Sequence, residues 1–137
     1  MRARIRFDKT VPREVRESLK PILKRWRHLI PSWCHSLEIH WSDDSDDGVV
    51  ARTLTQLEYR NAMIQFCPIW LRYPEDQRER YVVHELLHVV LAPAQDFAAN
   101  LIKNVVPEDD KTREWIENEE RRAFEMCVCD LQTALTG

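Results

Sequence analysis

Three side chains that can carry charge sit inside the most apolar stretch of the chain, YVVHELLHVVLA (Tyr81 to Ala92): His84, Glu85 and His88. A buried polar group without a partner costs about 2–7 kcal/mol, so a segment of this kind must give all three something to bind. The spacing suggests what. At about 100° per residue, positions i and i+4 of a helix lie about 40° apart and one turn up, so two imidazoles can grip a single metal ion. Glu85 lies beside them on the same side. It can take a proton from a water whose pKa the metal has lowered toward neutrality.

A hydrolytic zinc site needs three protein ligands and an open fourth position. His88 is the last histidine in the chain, and His28, His35 and His40 fall on helix-end, loop and strand positions, where surface or hydrogen-bonded roles are expected. The third ligand is therefore expected to be a carboxylate from the last helical segment, with Glu117, Glu119, Glu120, Glu125 and Asp130 as candidates. Ile116, Ala123, Cys127, Leu131 and Ala134 recur at helical spacing as an apolar stripe, and Glu120 falls inside it. Glu120 is the preferred ligand and Glu119, on a more mixed face, the alternative.

A HExxH helix followed by a helix bearing Glu resembles the gluzincin branch of the zincin metallopeptidases. Glu120-Arg121-Arg122-Ala123 matches the ExxA of that branch, although Phe124 stands where Asp or Asn usually follows. Glu125 or Asp130 is available to replace that partner of a zinc-bound histidine. The metzincin pattern fails, because Leu91 stands at its glycine and Ala94 at its third histidine. Residues 49–135 look most like minimal gluzincins of the ImmA/IrrE type and phage or mobile-element metallopeptidase domains. The resemblance implies a zinc endopeptidase in which His84, His88 and Glu120 hold Zn2+ and Glu85 is the general base. Its partner would be a protein or peptide, and Ala62–Cys67 would be the edge strand that pairs with the substrate backbone. Tyr59, Tyr73, Tyr81, Arg121 and Arg122 are the available types for steadying an oxyanion. The alternative is a zincin-fold module that binds or regulates without cleaving.

The rest of the chain must position this segment. Its 137 residues suit one domain, residues 1–137, of α+β class: a small mixed or antiparallel sheet, an N-terminal helix, the HExxH helix and a C-terminal Glu-bearing helix. Residues 1–30 read as a basic strand and helix, with Arg4–Lys9 the strand, Pro12–Leu29 the helix and Pro21 a kink or break. Residues 36–67 read as sheet: Ser36–Ser42, then Val49–Tyr59 and Ala62–Cys67 as a hairpin turning at Arg60-Asn61. Pro74 opens the HExxH helix, residues 74–92, which Pro93 ends. A further helix, 94–105, places Phe97, Ala98, Leu101 and Ile102 on one face, and a last one covers 108–135. Trp70 and Leu71 are expected to pack beside the site.

Composition excludes other chemistries. Only Gly48 and Gly137 are glycines, so no Gly-rich phosphate loop exists. The four cysteines, Cys34, Cys67, Cys127 and Cys129, include no CxxC pair and read as reduced, mostly buried thiols. No apolar run approaches the roughly 20 residues that span a bilayer. The opening MRARIRFDKT lacks an apolar core for a secretory signal, which predicts a cytoplasmic protein. Net charge is −3, yet residues 1–28 carry ten Lys and Arg against three Asp and Glu. That basic segment makes nucleic acid a possible partner. The acidic run Asp43 to Asp47 reads as a loop tip.

Overall fold

The computed structural model describes residues 2–44, 48–108 and 111–137. Elements follow in the order β1 (Arg4–Phe7), α1 (Arg13–Trp26), β2 (Ser36–Trp41), β3 (Ala51–Gln56), β4 (Asn61–Phe66), α2 (Glu75–Val105) and α3 (Lys111–Thr136), with short 3₁₀ turns at Arg27–Leu29, Leu57–Tyr59 and Pro68–Arg72. This is the α+β arrangement that the order of periodic segments predicts. The tip of the acidic run, Ser45 to Asp47, lies outside the described residues.

Two compact units divide the chain, Met1–Val90 and Leu91–Gly137. The first holds a four-stranded mixed sheet in the order β1-β2-β4-β3. β1 and β2 pair in parallel, as do β2 and β4, while β3 runs antiparallel to β4. The β3–β4 hairpin turns where expected. Arg60 takes the left-handed conformation, φ 54°, and its carbonyl oxygen accepts from the backbone N–H groups of His35 (2.7 Å) and Ser36 (3.3 Å). Alternation sends Leu37, Ile39, Trp41, Ala62, Ile64 and Phe66 to one face of the sheet. There they join a single buried cluster with Val15, Leu19, Ile22 and Leu23 of α1, Trp70, and Val82, Leu86 and Val89 of α2. Trp70 is buried and Leu71 partly so, both as packing residues.

Three expectations about breaks and edges are corrected by the structure, that at Pro21 only as to a break. α1 runs through Pro21 without ending. The carbonyl that Pro21 cannot satisfy belongs to Glu17, an exposed residue, where solvent can reach it. α2 also continues through Pro93, so the two predicted helices, 74–92 and 94–105, are one helix of 31 residues. Pro93 has no N–H for the carbonyl of Val89, four residues back, and the indole Nε1 of Trp33 donates to that oxygen at 3.2 Å. The third correction is the edge strand. Ala62–Cys67 corresponds to β4, which is interior: β2 takes one side of it and β3 the other. The edge strand beside it is β3.

The second unit holds the last turns of α2, together with α3. The stripe Ala123, Cys127, Leu131 and Ala134 is exposed rather than buried. The protected face of α3 runs instead through Glu117, Glu120, Phe124 and the fully buried Val128, at steps of three and four residues. Apolar residues are scattered around this helix, so its periodicity does not choose one face. Cys127 and Cys129 are exposed for the same reason, whereas Cys34 and Cys67 are buried; all four are free thiols. Burial pushes the Cys34 thiol up, which keeps it protonated. On α2, Phe97 and Leu101 are exposed, while Ala98 and Ile102 are half-buried. No helix among the described residues is long and apolar enough to cross a membrane.

Candidate metal centre on the HELLH helix

α2 forms here because YVVHELLHVVLA contains no glycine or internal proline and has an acidic first turn, Glu75 and Asp76, at its positive end. Val82, Val83, Leu86, Leu87 and Val89 anchor it by burial. That anchoring leaves His84 and His88 half-buried, one turn apart. Their ring centroids are 5.0 Å apart and the rings meet edge to face at 72°. Their ligand atoms lie within 4.8 Å of one another. A tetrahedral ion about 2.1 Å from each nitrogen needs them roughly 3.4 Å apart, which lies inside that limit. Among the described residues, His84 and His88 belong to the one group of His, Cys, Asp and Glu side chains close enough to share an ion. Two imidazoles one helical turn apart are donors of the kind that Zn2+ takes.

Glu85 is the buried charged residue of the core, 6% exposed. The hydroxyl of Thr53, on β3, donates to its Oε2 and lies 3.3 Å from its backbone carbonyl oxygen. An edge strand thus grips the carboxylate of the HELLH helix through one side chain. Sequence reasoning overlooked Thr53. Alternation in ARTLTQ does put Ala51, Thr53 and Thr55 on one side of the strand, but nothing local says that α2 lies there.

The remaining candidates lie as follows. His28 and His35 are exposed, and His35 meets Nη1 of Arg60 at 3.3 Å. His40 sits between Glu38 (3.1 Å) and Asp8 (3.8 Å). These are the surface and hydrogen-bonded roles expected of them. The Tyr73 and Tyr81 rings lie 4.9 Å apart, tilted by 50°, and the hydrogen bond to Tyr73, with burial, pushes the Tyr81 phenol up to about 12. Tyr81 therefore stays a proton donor at any physiological pH. Tyr59 is 74% exposed. Arg121 donates to Asn118 (2.6 Å) and Arg122 to Glu119 (3.3 Å). On α3, Oε1 of Glu120 is shielded from solvent and has no hydrogen-bond partner, whereas Glu125 and Asp130 are exposed.

What the fold and this helix define is an α+β protein whose HExxH segment is built into its core. No protein-family model matches the chain, and no curated protein or solved structure is significantly similar to it.

Proposed function

We propose that the protein is a zinc-dependent peptidase of gluzincin type. The observation that carries this reading is the half-buried His84–His88 pair, one turn apart, on the same helix as the buried, Thr53-bound carboxylate of Glu85. His84 and His88 would hold the ion as neutral imidazoles, with a carboxylate of α3 as third ligand. Glu120, whose Oε1 is shielded and unpartnered, is the first candidate, and Glu119 the alternative. Bound zinc would supply Lewis acidity, polarising a peptide carbonyl and making water acidic enough to act as nucleophile near neutral pH.

The chain's own groups do the rest. Glu85 accepts the proton of the attacking water and passes it to the leaving amine. The Thr53 hydroxyl holds Oε2 of that carboxylate in one orientation. β3 is the edge strand beside Glu85, and its outer row of backbone groups suits an extended peptide added as a further strand.

The test is metal content of protein purified without added metal, followed by cleavage of a casein or peptide-library substrate. About one zinc per chain, lost in His84→Ala and His88→Ala, is expected. Glu120→Ala is expected to lose it as well, and zinc kept there would move the third ligand to Glu119 or another acid. Glu85→Gln should keep the zinc and abolish cleavage. Wild-type protein that takes up no zinc when it is supplied would end the metal reading. Zinc bound with no cleavage of any peptide would favour a binding module instead.

A further inference from the structure

We propose that the basic face of α1, with the pocket at its C-terminal end, binds the phosphodiester backbone of a single-stranded nucleic acid. The residues involved all lie in the first unit and take no part in the HELLH site.

Arg13, Arg16, Lys20, Lys24 and Arg27 follow one another at steps of three and four residues. At about 100° per residue they fall within about 80° of the helix circumference and extend over about 21 Å. The stripe ends at a pocket of about 310 Å3. Arg2, Lys24, Arg27 and His28 bring donors to its wall, Ile30 and Pro31 give it an apolar side, and no acidic residue lines it. Arg27 already donates through Nη2 to the carbonyl oxygen of Ala3, yet its Nε is shielded from solvent and has no partner.

Cations in the last turn of a helix have an ordinary explanation in the helix dipole. That covers Lys24 and Arg25, the basic residues of that turn. It does not cover a stripe that continues back to Arg13, nor the presence of Arg2, just ahead of β1, in the same pocket. Two members of the stripe are partly engaged: Arg13 pairs with Glu17 at 3.1 Å, and Arg16 lies over the Phe7 ring at 5.7 Å. Arg27 donates to Ala3 as well, so Lys20, Lys24 and Arg2 are the cations left to face an incoming anion.

The shape of the feature selects a polymer. A single phosphorylated molecule would need the pocket alone, whereas the stripe repeats its charge along a line. An aromatic platform selects nucleic acid over an acidic peptide. The exposed ring of His28 stacks on Trp26, with centroids 5.8 Å apart and an interplanar angle of 29°, beside the pocket. Bases stack on such a surface while the backbone follows the cations, and only an unpaired strand has bases free to do so. The net charge of −3 makes this face the exception in an otherwise acidic chain.

The experiment is fluorescence anisotropy of the full chain with a labelled 12-nucleotide single strand, at 50 and 200 mM salt. Binding is expected, weakening by about 50-fold over that range if four phosphates are neutralised. Lys20→Gln/Lys24→Gln should weaken binding at least tenfold, and Arg2→Gln severalfold, with thermal stability and zinc content unchanged. Lys103→Gln/Lys111→Gln, a control outside the stripe, should bind as wild type does. The proposal is overturned by absence of binding at 50 mM salt, or by binding that the Lys20/Lys24 variant retains. It is also overturned if poly-glutamate of equal charge, or the mononucleotide at equal phosphate concentration, competes as well as the oligonucleotide. A duplex that binds more tightly than the single strand overturns the stacking assignment.

Discussion

Thr53 donates its hydroxyl hydrogen to Oε2 of Glu85, linking the edge strand β3 to the HELLH helix across 32 positions of sequence. The carboxylate is 6% exposed, so water does not readily replace a lost donor. Thr53→Val keeps the shape and removes the donor. It should cost about 1–3 kcal/mol, read by urea denaturation at pH 7, while Thr53→Ser should cost less. In the peptidase reading, Thr53→Val also lowers kcat at unchanged zinc content. A midpoint equal to that of wild type would show that Glu85 does not depend on this hydroxyl.

The Trp33 indole replaces the donor that Pro93 lacks, at the carbonyl oxygen of Val89. Trp33→Phe keeps most of the ring and leaves that oxygen unmet, so a loss of about 1–2 kcal/mol is expected. Pro93→Ala restores an ordinary helical donor. The Trp33→Phe cost should then shrink in the Pro93→Ala background, and a double-mutant cycle measures the coupling. Strict additivity of the two changes would remove the indole from this explanation.

Glu79 joins the start of α2 to the end of α1. It accepts from the Trp26 indole at 2.7 Å and pairs with Arg25. Burial raises its pKa, but the hydrogen bonds from Trp26 and Arg25 and the charge of Arg25 more than offset this, leaving it below the usual 4.5. A depressed folded-state pKa gives stability that is fully present above pH 4.5 and is lost as pH falls through the folded value. Glu79→Gln should therefore lower stability at pH 7 and flatten its decline below pH 4.5. Parallel pH–stability curves for the two proteins would contradict the assignment.

Arg60 holds φ 54° at the hairpin turn, a conformation that costs an L-residue about 1–2 kcal/mol. Arg60→Gly relieves that cost but adds freedom to the unfolded chain, so the net effect should lie between zero and about 1 kcal/mol of stabilisation. Arg60→Val should destabilise by more than about 1 kcal/mol, because a β-branched residue tolerates this region poorly. The measurement is the thermal midpoint of each variant, and a stabilising valine would contradict the turn geometry.

The features legible in the sequence depend on residues close together along the chain. The one-turn spacing of His84 and His88, the burial of the segment around them, the alternation in β2 and β4 and the turn at Arg60 all arise within a few residues of one another. The α+β class follows from the order of those local signals. What only the tertiary structure decided depends on partners far away in sequence. Pro93 reads as a helix end because no local group can supply its missing hydrogen; Trp33, 56 positions from Val89, supplies one. The resemblance makes Ala62–Cys67 an edge, and nothing local shows that β2 takes the side of β4 that its hairpin partner leaves open. Thr53 reads as a strand residue like its neighbours until α2 brings Glu85 against it. On α3, apolar residues lie on several sides of the helix. Its own periodicity is therefore degenerate, and only packing decides that Glu120 and Val128 turn inward while Leu131 and Ala134 meet water.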